Sequence, residues 1–165
     1  MFKTNRRAIT LLTGILALML ILSACSNGDG GPGISKTDFL FNLKNEYIGD
    51  APATLNLIQA LEISDIGAYT ISLQTDAKPY ALTVDFTKVN IDTDGVNAAM
   101  EKYSLILLAL IANADEIHWS LPESEPSEIK SVSVDDANKD HGNIKEYAAS
   151  ADSLHSLLVS IDYYK

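Results

Sequence analysis

The sequence predicts an α+β fold, a two-layer domain in which an antiparallel sheet of three or four strands packs against helices mainly on one face. Residues 69–74 and 80–86 alternate apolar with polar side chains, which is typical of strands with one face in water. Segments with helical spacing of apolar residues lie on both sides of this pair in the chain. Residues 105–112 are apolar throughout, and a helix that is apolar all round is buried, so we expect a central buried helix.

The predicted domain begins with two helices. Ser35 with Asp38 three residues later is a helix-start pattern, and this first helix is expected to end near Glu46. Asp50 is placed to cap the second helix, with Pro52 in the first turn, where a missing N–H costs little. The strands at 69–74 and 80–86 follow the second helix and are expected to form an antiparallel hairpin.

The remaining elements follow in the order helix, strand, strand, helix, helix. The long helix is predicted over residues 95–113, a third strand over 117–121 and a fourth near 132–134. A short helix is expected over 135–141, stopped by glycine, and a final helix from Ser150. The pattern contains no internal repeat and predicts one domain over residues 35–165.

Residues 1–24 predict a secretory signal peptide. Lys3, Arg6 and Arg7 form a basic start, and residues 8–22 form an apolar core, followed by small residues. The alternative is a permanent membrane helix, but the apolar stretch is shorter than the roughly 20 residues that a span prefers.

Leu22-Ser23-Ala24-Cys25 resembles the lipobox of bacterial lipoproteins. The resemblance implies cleavage between Ala24 and Cys25, a diacylglycerol thioether on Cys25 and usually acylation of the new N-terminus. It places the protein on the outer face of the plasma membrane, held by its acyl chains. Residues 25–34 are rich in glycine and small polar residues, which predicts a flexible tether.

Cys25 is the only cysteine. If it carries lipid, the folded body has no thiol, which excludes disulfides, thiol catalysis and cysteine-based metal sites there. The stability of the domain must then come from its apolar core.

The charge of the chain is strongly acidic, with a formal net charge of −10. Three basic residues are the only charged residues among the first 24, so the remaining 141 residues carry −13. This charge argues against nucleic acid and anionic lipid surfaces as partners, because both need clustered Lys and Arg. It suits a cationic partner such as a basic peptide, or simply keeps the protein soluble.

Asn45, residues 47–50, the hairpin segments 73–75 and 79–80, and the helix end 110–117 resemble a small extracytoplasmic domain of unknown function. That domain occurs in lipoproteins of Gram-positive bacteria and on the outer side of membrane metallopeptidases similar to beta-lactam-sensing antirepressors. The resemblance covers about residues 37–161 and implies a sensory or accessory role, without an assigned active site. The zinc-binding His-Glu-x-x-His of the metallopeptidases does not occur in this sequence.

The wet face of the predicted sheet is the candidate binding surface. Its hydrogen-bonding side chains are Thr70, Ser72, Gln74, Thr83, Asp85, His118 and Ser120. Such a face can hold an envelope protein or peptide, or it can be only solvated.

The segment that begins at Asn90 has the spacing of a calcium loop, with Asn90, Asp92, Asp94 and Glu101 at ligand positions and glycine at position six. The preceding segment is predicted to be a strand rather than a helix, and Asn97 occupies a position that is normally apolar. The alternative interpretation is a polar turn in which Asp92 or Asp94 caps the long helix. No cofactor is expected.

The sequence contains no Gly-x-Ser-x-Gly or Ser-x-x-Lys motif. We therefore expect a non-enzymatic sensing or accessory module of the cell envelope. A hydrolase site assembled from distant residues and a calcium-dependent or cationic-peptide-binding module stay open as alternatives. The terminal pair Tyr163-Tyr164 is expected to pack back onto the domain, the alternative being a contact point for a partner.

Overall fold

A computed structural model of the chain describes residues 35–122 and 128–164. The predicted signal peptide (1–24), the tether (25–34) and Cys25 itself lie outside the described residues. They therefore stay predictions.

The described residues form helices and strands in the order that the sequence predicts, with two short additions. The elements are α1 Lys36–Asn42, α2 Ala51–Ala60, α3 Ile63–Ile66, β1 Gly67–Gln74, β2 Ala81–Val89, α4 Thr93–Leu110, β3 Glu116–Ser120, β4 Lys130–Ser133, α5 Val134–His141, a 3₁₀ helix at Ile144–Ala149 and α6 Ala151–Ser160. The additions are α3 and the 3₁₀ helix.

Polar side chains cap the predicted helix starts. Ser35, Asp50 and Ser150 each accept the backbone N–H three residues later, at 3.1, 3.2 and 3.0 Å. Asp92 accepts the N–H of Gly95 at 2.7 Å and so begins α4. These bonds satisfy donors that have no partner within the helix itself.

The four strands lie in the order β1-β2-β3-β4. β1 pairs antiparallel with β2, and β3 pairs antiparallel with β4. β2 and β3, however, run parallel, with Ala81 opposite Glu116 and Asp85 opposite Ser120. The prediction of an antiparallel sheet is therefore wrong for the central pair, and the sheet is mixed.

The long helix explains the parallel pair. α4 has 18 residues and β2 has nine, so both are roughly 30 Å long. The helix carries the chain back along the sheet to the end at which β2 began. β3 must then run in the same direction as β2, as in any crossover connection.

One face of the sheet packs against the helices. Leu82, Val84, Ile117 and Trp119 point into the core, and Trp119 is only 2% exposed. Residues 106–111 at the end of α4 are buried in the same cluster. The α+β class, helices on one face and a central buried helix are confirmed.

Two helices end earlier than the sequence predicts. α1 stops at Asn42 and α4 at Leu110, because Asn45 and Ile111 leave helical geometry and form a parallel β-bridge. In the part of the chain that the structure describes, no helix is both long and apolar enough to cross a membrane.

Candidate functional site

The strand register brings the predicted polar residues together on the face of the sheet opposite the core. Ser72 lies opposite Thr83, Thr83 opposite His118, and His118 opposite Ser131. A second row runs through Thr70, Asp85 and Ser120. Paired positions share a face of a sheet. We call this surface the polar face: Thr70, Ser72, Gln74, Thr83, Asp85, Glu116, His118, Ser120, Ser131 and Ser133.

Three members of the polar face escaped the sequence analysis. Glu116 and Ser131 lie one residue before the predicted third and fourth strands, whereas Ser133 lies within the predicted fourth strand but was not selected as a binding residue. The period-two pattern could have found them, since Glu116 continues the alternation of His118 and Ser120, and Ser131 and Ser133 flank Val132.

Two hydrogen-bonded pairs lie on the polar face. His118 Nε2 and Glu116 Oε2 are 2.7 Å apart, with side chains 27% and 31% exposed. Ser120 donates to Asp85 Oδ1 at 2.8 Å, which leaves the hydroxyl oxygen of Ser120 able to accept from a partner. These side chains are fixed by neighbours on the same surface, yet they remain accessible.

A shallow recess of about 420 Å³ adjoins the polar face at the Glu116 and Ser133 end. Lys78 and Asp115 form an ion pair of 3.4 Å in its wall. Serine hydrolysis needs a serine within hydrogen-bond reach of the base, whereas in the described ranges the hydrogen-bond partner of His118 is Glu116. The arrangement presents hydrogen-bond donors and acceptors on an accessible surface.

The predicted calcium ligands do not converge. Asp92 caps α4, Glu101 lies two turns further along that helix, and Asn90 donates its side-chain N–H to the carbonyl of Asp65. Among the residues that the structure describes, no group of three His, Cys, Asp or Glu side chains is placed to hold a metal. Asp92 therefore acts as the helix cap that the sequence analysis gave as the alternative.

The C-terminal tyrosines have different environments. Tyr163 packs against Tyr103 with 6.2 Å between ring centroids, so for this residue the predicted packing is confirmed. Tyr164 is 49% exposed, and its hydroxyl contacts Thr37 and His155. This trio borders a recess of about 500 Å³ between α1 and α6.

The residues that carry the resemblance form a structural junction. Asn45 donates its backbone N–H to the carbonyl of Leu110, at the end of α4, and its side chain bonds Thr54 and Tyr47. Asn113 accepts the N–H of Ile48 at 2.6 Å. These contacts fasten the loop between α1 and α2 to the end of α4.

Asp115 extends this junction to the sheet. Its carboxylate accepts the N–H of Tyr80 at 2.8 Å, its N–H donates to the carbonyl of Tyr80, and its carbonyl accepts from Val134. One residue thus joins the start of β2, the start of β3 and the start of α5. Asn45, Asn113 and Asp115 thus hold the elements of the fold together, and none of them belongs to the polar face.

Lys145, which no motif singles out in the sequence, closes the end of α4. Its ammonium donates to the carbonyls of Leu108, Ile111 and Ala114 at 2.6, 2.8 and 2.8 Å. Burial lowers the pKa of Lys145 from 10.5 to about 8, against the opposing effect of Asp115. At pH 7 the side chain is still charged, as suits the negative end of a helix.

Comparison with known proteins supports the resemblance at the level of the domain. The family described as a domain of unknown function (DUF4825) matches residues 40–135, more than half of the chain. The chain belongs to that family. No curated protein and no solved structure matches it.

Proposed function

We propose that this protein is a non-enzymatic lipoprotein of the cell envelope, anchored through lipid on Cys25, which binds a partner through the polar face. The observation that carries the proposal is the pair of side-chain rows, with His118–Glu116 and Ser120–Asp85 held in fixed geometry on an accessible sheet face. Acyl chains would keep this face outside the cell, within tether length of the membrane.

Pre-positioned side chains favour binding because less rotamer freedom is lost when a partner arrives. Asp85 and Glu116 already have hydrogen-bonded neighbours, and the polar face supplies both donors and acceptors. A partner with exposed amide, hydroxyl or ammonium groups fits this chemistry. We also propose that the protein has an accessory role in an envelope sensing system. This part of the proposal rests on the resemblance to the extracytoplasmic domain described above.

The binding surface is tested by photo-crosslinking in living cells. A photoreactive residue at position 83, on the polar face, is expected to capture an envelope protein that the same residue at exposed position 156 on α6 does not. The captured protein should bind the purified chain at least tenfold more weakly when Asp85→Lys is introduced. Asp152→Lys, the same charge change on α6, should leave binding within twofold. Equal capture at both positions would contradict the binding surface.

The anchor is tested separately by labelling cells with radioactive palmitate. The wild-type chain should incorporate the label, Cys25→Ala should not, and the matched neighbour Ser26→Ala should still do so. An unlabelled wild-type chain would refute the lipoprotein part of the proposal while leaving the binding surface to its own experiment.

A further inference from the structure

The polar face carries two carboxylates that no lysine neutralises. Asp85 lies on β2 and Glu116 on β3. In the described ranges, neither carboxylate lies within ion-pair distance of a lysine. Their hydrogen-bond partners on the same surface are Ser120 and His118. The polar face therefore presents negative charge to the solvent.

Each carboxylate has one oxygen available to a ligand. Ser120 binds Oδ1 of Asp85 and His118 binds Oε2 of Glu116, whereas Asp85 Oδ2 and Glu116 Oε1 make no hydrogen bond within the part of the chain that the structure describes. The neighbours fix the orientation of the carboxylates, so an incoming donor meets acceptors that are already in place. Because these acceptors are ionised, ammonium and guanidinium groups are the strongest donors for them.

The strand register sets the distance between the two carboxylates. Asp85 lies opposite Ser120, and Glu116 lies four residues before Ser120 on the same strand. Four residues of strand span roughly 13 Å, which is too far for one metal ion to bind both carboxylates. Two cationic groups of one partner can reach both if they are spaced by about the same distance. Residues that lie four apart in an extended peptide have this spacing.

A recess beside Glu116 gives room for a long side chain. The recess of about 420 Å³ at this end of the polar face is lined by Asp115, Glu116 and Asp135. Asp115 is paired with Lys78 at 3.4 Å, so the lining keeps an excess of negative charge. A Lys or Arg side chain of a partner can enter here with its charged end toward Glu116.

The segments outside the described residues supply little positive charge. Residues 25–34 and 123–127 contain three acidic side chains and no Lys, Arg or His. Of the four basic residues outside the described ranges, three lie within 1–24, which the proposed cleavage removes. The fourth, Lys165, follows Tyr164, whose hydroxyl contacts α1 and α6. A separate partner is therefore the better source of the charge that complements the two carboxylates.

We propose that the partner of the polar face is a basic peptide segment, which places one Lys or Arg side chain on Asp85 and another, four residues further along an extended chain, on Glu116. Charge complementarity selects this partner. The chain carries −10 overall, so cationic segments are attracted from a distance and anionic ones are repelled. This inference names the class of partner for the surface proposed above, and so it rests on the proposed function.

Fluorescence anisotropy with two synthetic peptides tests the proposal on the purified full chain in a nonionic detergent. Both peptides contain four arginines among nine serines and threonines. In the spaced peptide every fourth residue is an arginine, and in the clustered peptide the four arginines are adjacent. The spaced peptide is expected to bind at least fivefold more tightly, with an affinity that falls as salt is added. Equal affinities, or no binding of the spaced peptide, would overturn the proposal.

Two double variants separate the carboxylates of the polar face from the net charge. Asp85→Asn/Glu116→Gln keeps a hydrogen-bond acceptor at both positions but removes both charges, and should raise the dissociation constant of the spaced peptide at least tenfold. Asp94→Asn/Glu101→Gln makes the same change of net charge at exposed positions on α4, and should leave the dissociation constant within twofold. Equal weakening in the two variants would show attraction to net charge alone, against the proposal.

Amide chemical shifts of the wild type provide a measurement that does not depend on the folding of any variant. Titration with the spaced peptide should move the signals of residues 81–85 and 116–120, and shifts confined to the helices would overturn the proposal. Capture at position 83 in living cells tests the polar face by itself. If an envelope protein is captured there while the spaced peptide does not bind, the class of partner is wrong and the binding surface stands.

Discussion

At the level of single residues, two fully buried hydroxyls differ in their hydrogen bonds. Thr54 and Ser104 are both 0% exposed. Thr54 donates to the carbonyl of Ile48 and accepts from Asn45, whereas Ser104 Oγ has no hydrogen-bond partner among the described residues. A buried polar group without a partner loses the hydrogen bonds it had with water, and this loss destabilises the fold.

Ser104→Ala should therefore stabilise the protein. The substitution removes the unpartnered hydroxyl and places a better helix former within α4, so the free energy of unfolding is expected to rise by about 1 kcal/mol. Thermal melting followed by circular dichroism measures it. The matched change Thr54→Val should instead lower the free energy of unfolding by about 1–3 kcal/mol, because Ile48 and Asn45 lose their partner. A lower melting temperature for Ser104→Ala would show that the hydroxyl is satisfied.

At the level of elements, the end of α4 depends on a side chain from the 3₁₀ helix. Lys145→Met keeps much of the apolar stem but removes the ammonium donor from the carbonyls of Leu108, Ile111 and Ala114, of which Ile111 retains the N–H of Ala114. We expect the free energy of unfolding to fall by about 2–3 kcal/mol, measured by urea denaturation. Lys44→Met, at an exposed lysine that lines a recess together with Lys145, should change the free energy of unfolding by less than about 0.5 kcal/mol. Equal losses in both variants would argue against the capping role.

The start of α5 should give the protein a pH dependence in acid. Hydrogen bonds from Lys139 and then Ser133 lower the pKa of Asp136 from 3.8 to about 2. Since the folded pKa is the lower one, the carboxylate contributes stability above pH 4, and this contribution is lost as pH falls from 4 through 2. An NMR titration should find the low pKa in the wild type and a higher pKa in Lys139→Gln. A wild-type pKa near 3.8 would contradict this.

At the level of the whole molecule, the sequence predicted the α+β class, the helix caps and seven of the ten residues of the polar face. Hydrophobic periodicity and capping residues depend on neighbours that are close in the chain, so they can be recognised in a single sequence. The sequence did not predict the parallel pairing of β2 with β3, because strand direction depends on the path of α4 through space. The sequence also did not predict α3, which is a four-residue helix that follows Glu62 at φ 58°. It did not predict the role of Lys145 either, because the carbonyls that this residue contacts lie more than 30 residues away in the chain.

The shared core predicts cooperative unfolding of the described part of the chain. Helices and strands from α1 to α6 contribute to one cluster of buried side chains. Trp119 lies within it and donates to Asn97 at 2.9 Å. Trp119 fluorescence and far-ultraviolet circular dichroism should therefore give the same melting midpoint. Two separate midpoints would show that part of the chain unfolds independently of this core.

The position of Lys145 in the chain has a consequence for biosynthesis. The ribosome makes α4 well before it makes the residue that covers the last carbonyls of that helix, and at 5–20 residues per second this interval lasts roughly 2–7 s. Until Lys145 has been made, the carbonyls of Leu108 and Ala114 lack the ammonium donor that they have in the folded chain. The end of α4 therefore reaches its native hydrogen bonding only when the C-terminal third of the chain packs against it.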